Sequence, residues 1–272
     1  MPPLALAAVS IALWSSLAYL STLVPHVPAF LLVGVTLLVG SVPGLVRFRH
    51  FTRDLRVLAL GVYGLFGYHF CLFMALRLAP PVEANLVNYL WPVLIVVMSP
   101  PLRWFHVAGA LVAFSGAALI ATGGDVTHLT WQPGLLLALA AAIIWSSYSV
   151  LTRRLHGRSS AVVSQFCLVS GALAVGTHEL IEPHVSLTVH DAAVLVALGI
   201  GPMGAAFYAW DAALKRGDPR QIGALAYLTP LLSTACLVVV GGKPFTHVAA
   251  IAMLLIVAGA VLGAQRRANA SS

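Results

Sequence analysis

The chain has 272 residues, of which 60% are hydrophobic and 8% are charged. Soluble domains carry about three times that charged fraction, so the composition excludes an ordinary water-soluble globular protein. The net charge of +7 does not indicate a nucleic-acid partner, because the basic residues occupy short gaps between apolar stretches. These features are typical of a chain that is embedded in a lipid bilayer.

Ten apolar stretches approach the length of about 20 residues that a helix needs to cross a hydrocarbon core. The gaps between them are short and leave no room for an enzyme domain outside the membrane. The sequence therefore predicts an all-α integral membrane protein with ten transmembrane helices. The predicted spans are Pro3–Thr22, Val27–Val46, Leu55–Leu76, Val82–Ser99, Trp104–Thr122, Gly134–Thr152, Ala161–Leu180, Ala192–Leu214, Gln221–Val240 and Thr246–Ala264.

The basic residues are distributed unequally between alternate gaps. Arg77 and Lys243 fall on one side of the predicted membrane, and the remaining lysines and arginines fall on the other. The positive-inside rule places the basic side in the cytoplasm, so both termini are expected there. The residues of the basic side are Arg47, Arg49, Arg53, Arg56, Arg103, Arg153, Arg154, Arg158, Lys215, Arg216, Arg220, Arg266 and Arg267.

Short sequence matches recur between the two halves of the chain. Trp14-Ser15-Ser16 matches a Trp-Ser-Ser run 131 positions later, and Asn88-Tyr89-Leu90-Trp91-Pro92 matches a similar run 138 positions later. The matches predict two repeats of five helices each, residues 1–127 and 128–272, which together form one membrane domain. Because five is odd, the second repeat enters the membrane inverted. In secondary transporters, inverted repeats place the solute site near the midplane between the halves.

Aromatic and polar residues fall near the middle of several predicted spans. Trp14, Trp91 and Trp145 lie far from the membrane interfaces, where a buried indole N–H needs a polar partner. Both core packing and a cavity lining remain open for them. Polar groups avoid lipid, which favours the cavity. The accompanying candidates are Asn85, Asn88, Tyr89 and Pro92 on the fourth span, Ser146, Tyr148, Ser149 and Thr152 on the sixth, and Tyr227, Pro230, Ser233 and Thr234 on the ninth.

Two titratable residues are candidates for coupling transport to protons. Among the histidines, His69 alone is expected to lie deep in a span, the third, and the pKa of a histidine is ordinarily near neutrality. A structural role is the favoured alternative for it. Asp211 lies one helical turn before Lys215. The expected alternative to a coupling role is an ion pair with either Lys215 or Arg216.

Prolines and small residues indicate where helices bend or approach closely. Pro92 and Pro230 occupy matching positions in the two halves and are expected to kink their helices, because proline removes a backbone hydrogen bond. Packing alone is the alternative. Small residues repeat at four-residue spacing in the fifth and tenth spans, which indicates either tight packing inside one bundle or dimerisation. The small residues are Gly109, Ala113, Ala117, Gly259 and Gly263.

The sequence shows no residue pattern typical of an enzyme or a metal site. Paired acids, an HExxH motif and a serine–histidine pair are all missing from the predicted membrane interior. Cys71, Cys167 and Cys236 lie in apolar runs without metal-ligand spacing. The prediction is therefore a protein that is not an enzyme and uses neither a cofactor nor a metal.

The ten-span layout, the repeat and the Trp-Ser pairs resemble the drug/metabolite transporter superfamily, in its EamA-like branch, over essentially the whole chain. Residues 87–92, 142–145 and 227–230 are similar to stretches of the bacterial aromatic amino acid exporter family. The resemblance implies a multi-pass protein of the bacterial inner membrane that exports amino acids, especially aromatic ones and their analogues, by alternating access.

The resemblance also implies which residues line the central cavity. An uncharged cavity of rings, amides and hydroxyls suits a zwitterion with an apolar side chain. Thr229 stands where the first half has Trp91, so the two walls differ. A broad-specificity drug or metabolite exporter is the alternative within the superfamily, and a channel is the alternative from another class. The implied positions are Tyr68, His69, Tyr89, Trp91, Pro92 and Trp145, followed by Trp14, Tyr208 and Tyr227.

Overall fold

The computed structural model describes residues 1–46, 48–240 and 246–263. All regular structure in these parts of the chain is helical. Apart from two short 3-10 turns, Phe48–His50 and Arg153–Leu155, it forms ten helical runs that overlap the ten predicted spans. Two of the runs are each broken into two helices, labelled a and b. The runs are α1 (Pro3–Thr22), α2 (Ala29–Leu45), α3 (Leu55–Leu78), α4a (Pro81–Asn88), α4b (Trp91–Val97), α5 (Trp104–Thr122), α6 (Leu135–Thr152), α7 (Val162–Ile181), α8 (Val189–Arg216), α9a (Pro219–Ala226), α9b (Leu228–Val239) and α10 (His247–Gly263).

Five of these helices are long and apolar enough to cross a membrane, namely α1, α3, α5, α6 and α8. The α2 helix, the combined α4a and α4b run, and α10 are shorter apolar helices. The all-helical, multi-pass architecture is therefore confirmed, while the count of ten crossings stays a prediction. Several residues used for the orientation, and the predicted end of the last span, lie outside the described residues. They are Arg47, Lys243, Arg266, Arg267 and Ala264.

Polar caps and prolines fix where several helices begin. The Asp54 side chain accepts a hydrogen bond from the Arg56 backbone N–H at 3.0 Å and caps α3. Thr188 and Asp191 form a reciprocal capping box at the start of α8. Proline residues stand in the first turns of α1, α4a and α9a. Both devices suit a helix start, where the first backbone N–H groups have no partner inside the helix.

The two halves share irregularities at a constant spacing. A π-helical turn at Tyr63–Gly67 in α3 has a counterpart at Gly201–Ala205 in α8, and the break after α4a has a counterpart after α9a. The spacing is 138 residues in both cases, as it is between Tyr89 and Tyr227 at the two breaks. Distortions of the backbone therefore follow the same repeat as the sequence matches.

The two matching prolines of the repeat lie immediately after the breaks. Each helix is interrupted just before its proline, at residues 89–90 and at Tyr227, where the backbone keeps right-handed helical dihedral angles. A kink at either proline stays a prediction. Each proline lies in the first turn of the new helix. That position tolerates proline, since its missing N–H would have no partner inside the helix.

Helix packing follows the same internal relationship. The α1 helix packs on α8 and α9b, and α6, five helices later, packs on α3 and on both parts of α4. Two further close pairs, α2 with α7 and α5 with α10, join helices at equivalent positions of the two halves. The main core lies between these helices and includes Leu37, Trp91, Trp145, Phe166 and Trp210.

The small residues of α5 and α10 pack against each other within one chain. A Cβ atom built on Gly109 would lie 2.6 Å from the Gly259 backbone oxygen, and one built on Gly259 would lie 2.5 Å from the Gly109 oxygen. Ala113 and Ala117 are buried in the same contact region. Close packing inside the bundle therefore uses these residues, so their spacing does not require dimerisation.

Candidate substrate site

Four indole rings from four helices meet in the centre of the main core. Trp14 of α1 lies 5.0 Å from Trp210, 5.8 Å from Trp145 and 6.4 Å from Trp91, measured between ring centroids. Trp145 and Trp210 are stacked at 6.5 Å with an angle of 20° between their planes. Phe207 contacts both Trp14 and Trp145. The structure thus brings together residues from both halves of the chain.

Further rings extend this group on the α3 and α6 sides. The Tyr68 ring lies 5.3 Å from Trp145, and His69 lies 4.9 Å from Tyr68. Tyr148 contacts Trp145 at 5.5 Å. We call the whole set the aromatic cluster. Its members are Trp14, Tyr68, His69, Trp91, Trp145, Tyr148, Phe207 and Trp210.

Backbone oxygens at the two helix breaks are bonded by serines of the Trp-Ser motifs. Ser146 Oγ lies 2.9 Å from the Trp91 backbone oxygen and 2.5 Å from the Ala142 oxygen of its own helix. Ser15 Oγ lies 3.4 Å from the Thr229 oxygen and 2.6 Å from the Ile11 oxygen, so each serine hydroxyl sits between its own helix and a break of the opposite half. Ser15 and Ser146 are equivalent in the two repeated motifs, and Trp91 and Thr229 are equivalent at the breaks. Each motif therefore anchors the broken helix of the opposite half, beside the aromatic cluster.

Several polar atoms in and beside the aromatic cluster form hydrogen bonds, whereas the side-chain oxygen of Asn88 accepts none from the described residues. The Trp210 indole N–H donates to Ser149 Oγ at 3.1 Å, and Asn88 Nδ2 lies 3.4 Å from the Tyr68 hydroxyl. His69 Nδ1 lies 2.6 Å from the Leu65 backbone oxygen. Asn88 Oδ1 is buried and accepts no hydrogen bond from the described residues. A buried amide oxygen without a donor is costly, so it is a natural contact for a polar ligand.

Trp210 and Phe207 are cluster members that the sequence pattern did not single out. Trp210 is 1% exposed, and it contacts three other tryptophans. It lies near the end of its predicted span, where a tryptophan fits equally well as an interfacial ring. The i, i+3 spacing of Phe207 and Trp210 was the available signal that both share one helix face. By contrast, Trp104 and Trp131 are exposed, which suits rings near the membrane interfaces.

The structure places several predicted site residues away from the aromatic cluster. Tyr227 is fully buried in a neighbouring cluster, and Tyr89 packs against that cluster. Tyr208 is turned to the other face of α8, where its hydroxyl donates to the Gly40 oxygen at 3.1 Å. Asn85 and Ser233 are half-buried on α4a and α9b, outside the set of rings that forms the cluster.

The charge next to the cluster is paired. Asp211 follows Trp210, is 1% exposed, and places Oδ2 2.7 Å from the Lys215 Nζ atom. Of the two partners that the sequence left open for Asp211, Lys215 is the one observed. Lys215 Nζ also donates to the Arg158 backbone oxygen at 3.3 Å, which ties the end of α8 to the turn before α7.

Besides His69, two more histidines are buried among the residues whose burial the structure describes. His106 and His178 lie close to the ends of α5 and α7. His178, Glu179 and His184 place one ligand atom each within 4.8 Å of one another, and they form the group of described residues that could hold a metal ion. This group lies at the far end of α7, and it shares no residue with the aromatic cluster.

Comparisons with known proteins agree with this architecture. The EamA-like transporter family matches the chain at residues 1–122 and again at residues 132–264. An aromatic amino acid exporter, YddG, from Ancylobacter novellus is 44% identical over 268 residues, which cover 93% of each chain. The Escherichia coli protein of the same name is 25% identical over 215 residues, covering 72% of each chain.

A solved structure is similar over nearly the full length. A crystal structure with 41% sequence identity superposes with a TM-score of 0.92 and covers 99% of both chains. The family match, the relatives and the apolar helices agree with one another. The chain is therefore a multi-pass membrane protein that belongs to the EamA-like transporter family.

Proposed function

We propose that this protein exports amino acids, aromatic ones and their analogues above all, from the cytoplasm. The observation that carries the proposal is the meeting of Trp14, Trp91, Trp145 and Trp210 from four different helices. Aromatic rings prefer offset or edge-to-face contacts with other rings, which are worth about 0.5–1.5 kcal/mol beyond simple burial. The similarity to two proteins named as aromatic amino acid exporters supports the same substrate class.

The polar groups beside the rings fit the two ends of a zwitterion. Asn88 Oδ1 and Thr229 Oγ1 are buried and accept no hydrogen bond from the described residues. The Asn88 oxygen can accept from a substrate ammonium group, and the Thr229 hydroxyl can donate to a substrate carboxylate. The nearby ion pair of Asp211 and Lys215 adds no net charge. An uncharged site with weak contacts holds an amino acid without trapping it, which net transport requires.

The proposed mechanism is alternating access between two inverted repeats, residues 1–127 and 128–272, across ten membrane spans. The shared π-helical turns, the matched breaks and the equivalent serine anchors support this arrangement. In such transporters the halves rock around a central site.

Tryptophan flux in proteoliposomes tests the function. Trp91→Ala removes a ring that contacts three other indoles, so we expect transport of tryptophan to fall about tenfold, in line with the loss of more than one ring contact. The matched control is Trp104→Ala, because that side chain is 75% exposed and lies outside the cluster. Its flux should equal that of the parent protein.

Competing solutes separate the alternatives. Excess phenylalanine should inhibit tryptophan flux more strongly than threonine or a lipophilic cation. Stronger inhibition by the cation would favour a broad-specificity drug exporter. Flux that does not saturate with tryptophan concentration would favour a channel. Equal flux in Trp91→Ala and Trp104→Ala would show that the aromatic cluster is not part of the substrate site.

A further inference from the structure

A large cavity lies beside α8, on a different face from the aromatic cluster. Phe207 and Trp210 point into the cluster, whereas Tyr208 and Ala212 line a cavity of about 1080 Å³. The start of α1, the end of α2 and the turn before α7 complete its wall. This side cavity shares no lining residue with the aromatic cluster, so it is a separate site.

One end of the side cavity is cationic, and the described residues that line it include no aspartate or glutamate. Lys215 is neutralised by Asp211 at 2.7 Å, and Arg158 lies 3.3 Å from Asp54. Arg216 is exposed and forms no ion pair with the parts of the chain that the structure describes. This end therefore carries a net positive charge. The cationic lining residues are Arg158, Lys215 and Arg216.

The remaining wall is apolar and open at the side of the helix bundle. Leu6, Pro43 and Ala205 contribute to it, and Val46 and Ile200 are 83% and 62% exposed. Exposed apolar side chains on membrane helices face the acyl chains of the bilayer. The side cavity therefore opens toward lipid along its apolar wall, and its cationic end lies level with the helix termini.

A free amino acid does not match this site. Its ammonium group would meet cations with no carboxylate among the described lining residues, and it would fill little of the volume. The chemistry that matches is an anion attached to a long apolar chain. The basic side of a membrane protein faces the leaflet that carries anionic lipids, and basic pockets between helices there bind their head groups.

We propose that the side cavity binds an anionic phospholipid. The phosphate lies against the guanidinium group of Arg216 and beside that of Arg158, with the Ser159 hydroxyl as a further donor. The acyl chains follow the apolar wall past Ile200 toward the bilayer. Lipid in this position packs against α8 on the face opposite to Trp210, so it supports the helix that carries part of the aromatic cluster.

Native mass spectrometry of the detergent-purified protein tests this inference. Phosphatidylglycerol should be retained as a one-to-one complex, and it should raise the apparent melting temperature. Phosphatidylcholine with the same acyl chains and inorganic phosphate should do neither. Arg216→Ala should weaken phosphatidylglycerol binding about fivefold, the equivalent of about 1 kcal/mol for one cation near a charged head group. Ala212→Phe should weaken it by narrowing the cavity.

The control variant is Arg56→Ala, which removes an exposed arginine from the same predicted side of the membrane without touching the side cavity. Its phosphatidylglycerol binding should match that of the parent protein. Equal weakening by Arg56→Ala would show general surface attraction and overturn the site. Equal binding of phosphatidylcholine, or of inorganic phosphate alone, would overturn the assignment to an anionic lipid. Circular dichroism of each variant confirms that it is folded before binding is compared.

Discussion

The Tyr227 hydroxyl donates a hydrogen bond to the backbone oxygen of Tyr89 at 3.1 Å, and the two residues occupy equivalent positions 138 residues apart. Each of them stands where its helical run is broken. A single side chain thus joins the two breaks directly. Because Tyr227 is fully buried, its hydroxyl has no access to water as an alternative partner.

Tyr227→Phe should lower stability by about 1 kcal/mol, because it deletes this hydrogen bond while preserving the ring. The apparent melting temperature of the purified protein should fall, and tryptophan flux should fall with it if the two breaks move together. Tyr63→Phe is the matched control, since that hydroxyl bonds Ser147 on the exposed surface. Identical melting of the two variants would mean that the bond between the breaks contributes nothing.

Gly259→Ala should destabilise the packing of α5 on α10. The new methyl group would lie 2.5 Å from the Gly109 oxygen, and relief of such overpacking costs about 1–3 kcal/mol. Gly176→Ala provides the control, because no atom lies within 4 Å of the position that its new methyl group would take. It should be neutral or slightly stabilising, since alanine favours helix more than glycine does. The apparent melting temperature should therefore fall for Gly259→Ala and stay the same or rise slightly for Gly176→Ala. A fall of equal size in both variants would contradict close packing at Gly259.

Lys215→Met should destabilise the protein more than the double variant Asp211→Asn with Lys215→Met. The single change leaves a buried carboxylate without its cation, which costs about 3–5 kcal/mol, whereas the double change removes the pair. Thermal unfolding compares the two variants. Flux with and without a pH gradient should respond alike in the double variant and the parent. A response to the gradient that disappears in the double variant would instead make Asp211 the coupling residue.

Both termini should be accessible only from the cytoplasm if the chain forms two inverted five-helix repeats. Epitope tags at either end should be labelled in permeabilised cells and protected in intact spheroplasts. Asp125→Cys, in a background without the native cysteines, gives the opposite control, because it lies in the exposed turn after α5. Labelling of one terminus from outside would contradict an even number of spans.

The sequence predicted the helices well because lipid imposes a simple requirement on each of them. A span needs a continuous apolar run, and this requirement acts on each segment separately. The predicted bounds of α1 and α5 coincide with the observed ones. The breaks at Tyr89 and Tyr227 lie just before Pro92 and Pro230, where the sequence places kinks. The contacts of the Trp91 and Thr229 oxygens with serines of distant helices could not be predicted from it.

The residues of the candidate site also differ in how well the sequence predicts them. Trp14, Trp91 and Trp145 could be found because a tryptophan near the middle of an apolar run is unusual, and the structure brings all three together. The family resemblance assigns Tyr208 to the central cavity, whereas the structure places it in the wall of the side cavity. Trp210 was missed, although it is buried beside the other three.

The sequence by itself determined the environment of this chain, its helices and its internal repeat, because hydrophobicity and short matches are local properties of the residues. Only the tertiary structure decided which face of α8 meets the aromatic cluster and which meets the side cavity. That choice depends on how helices distant in sequence rotate and pack together. Composition is uniform around an apolar helix, so it carries no record of the rotation.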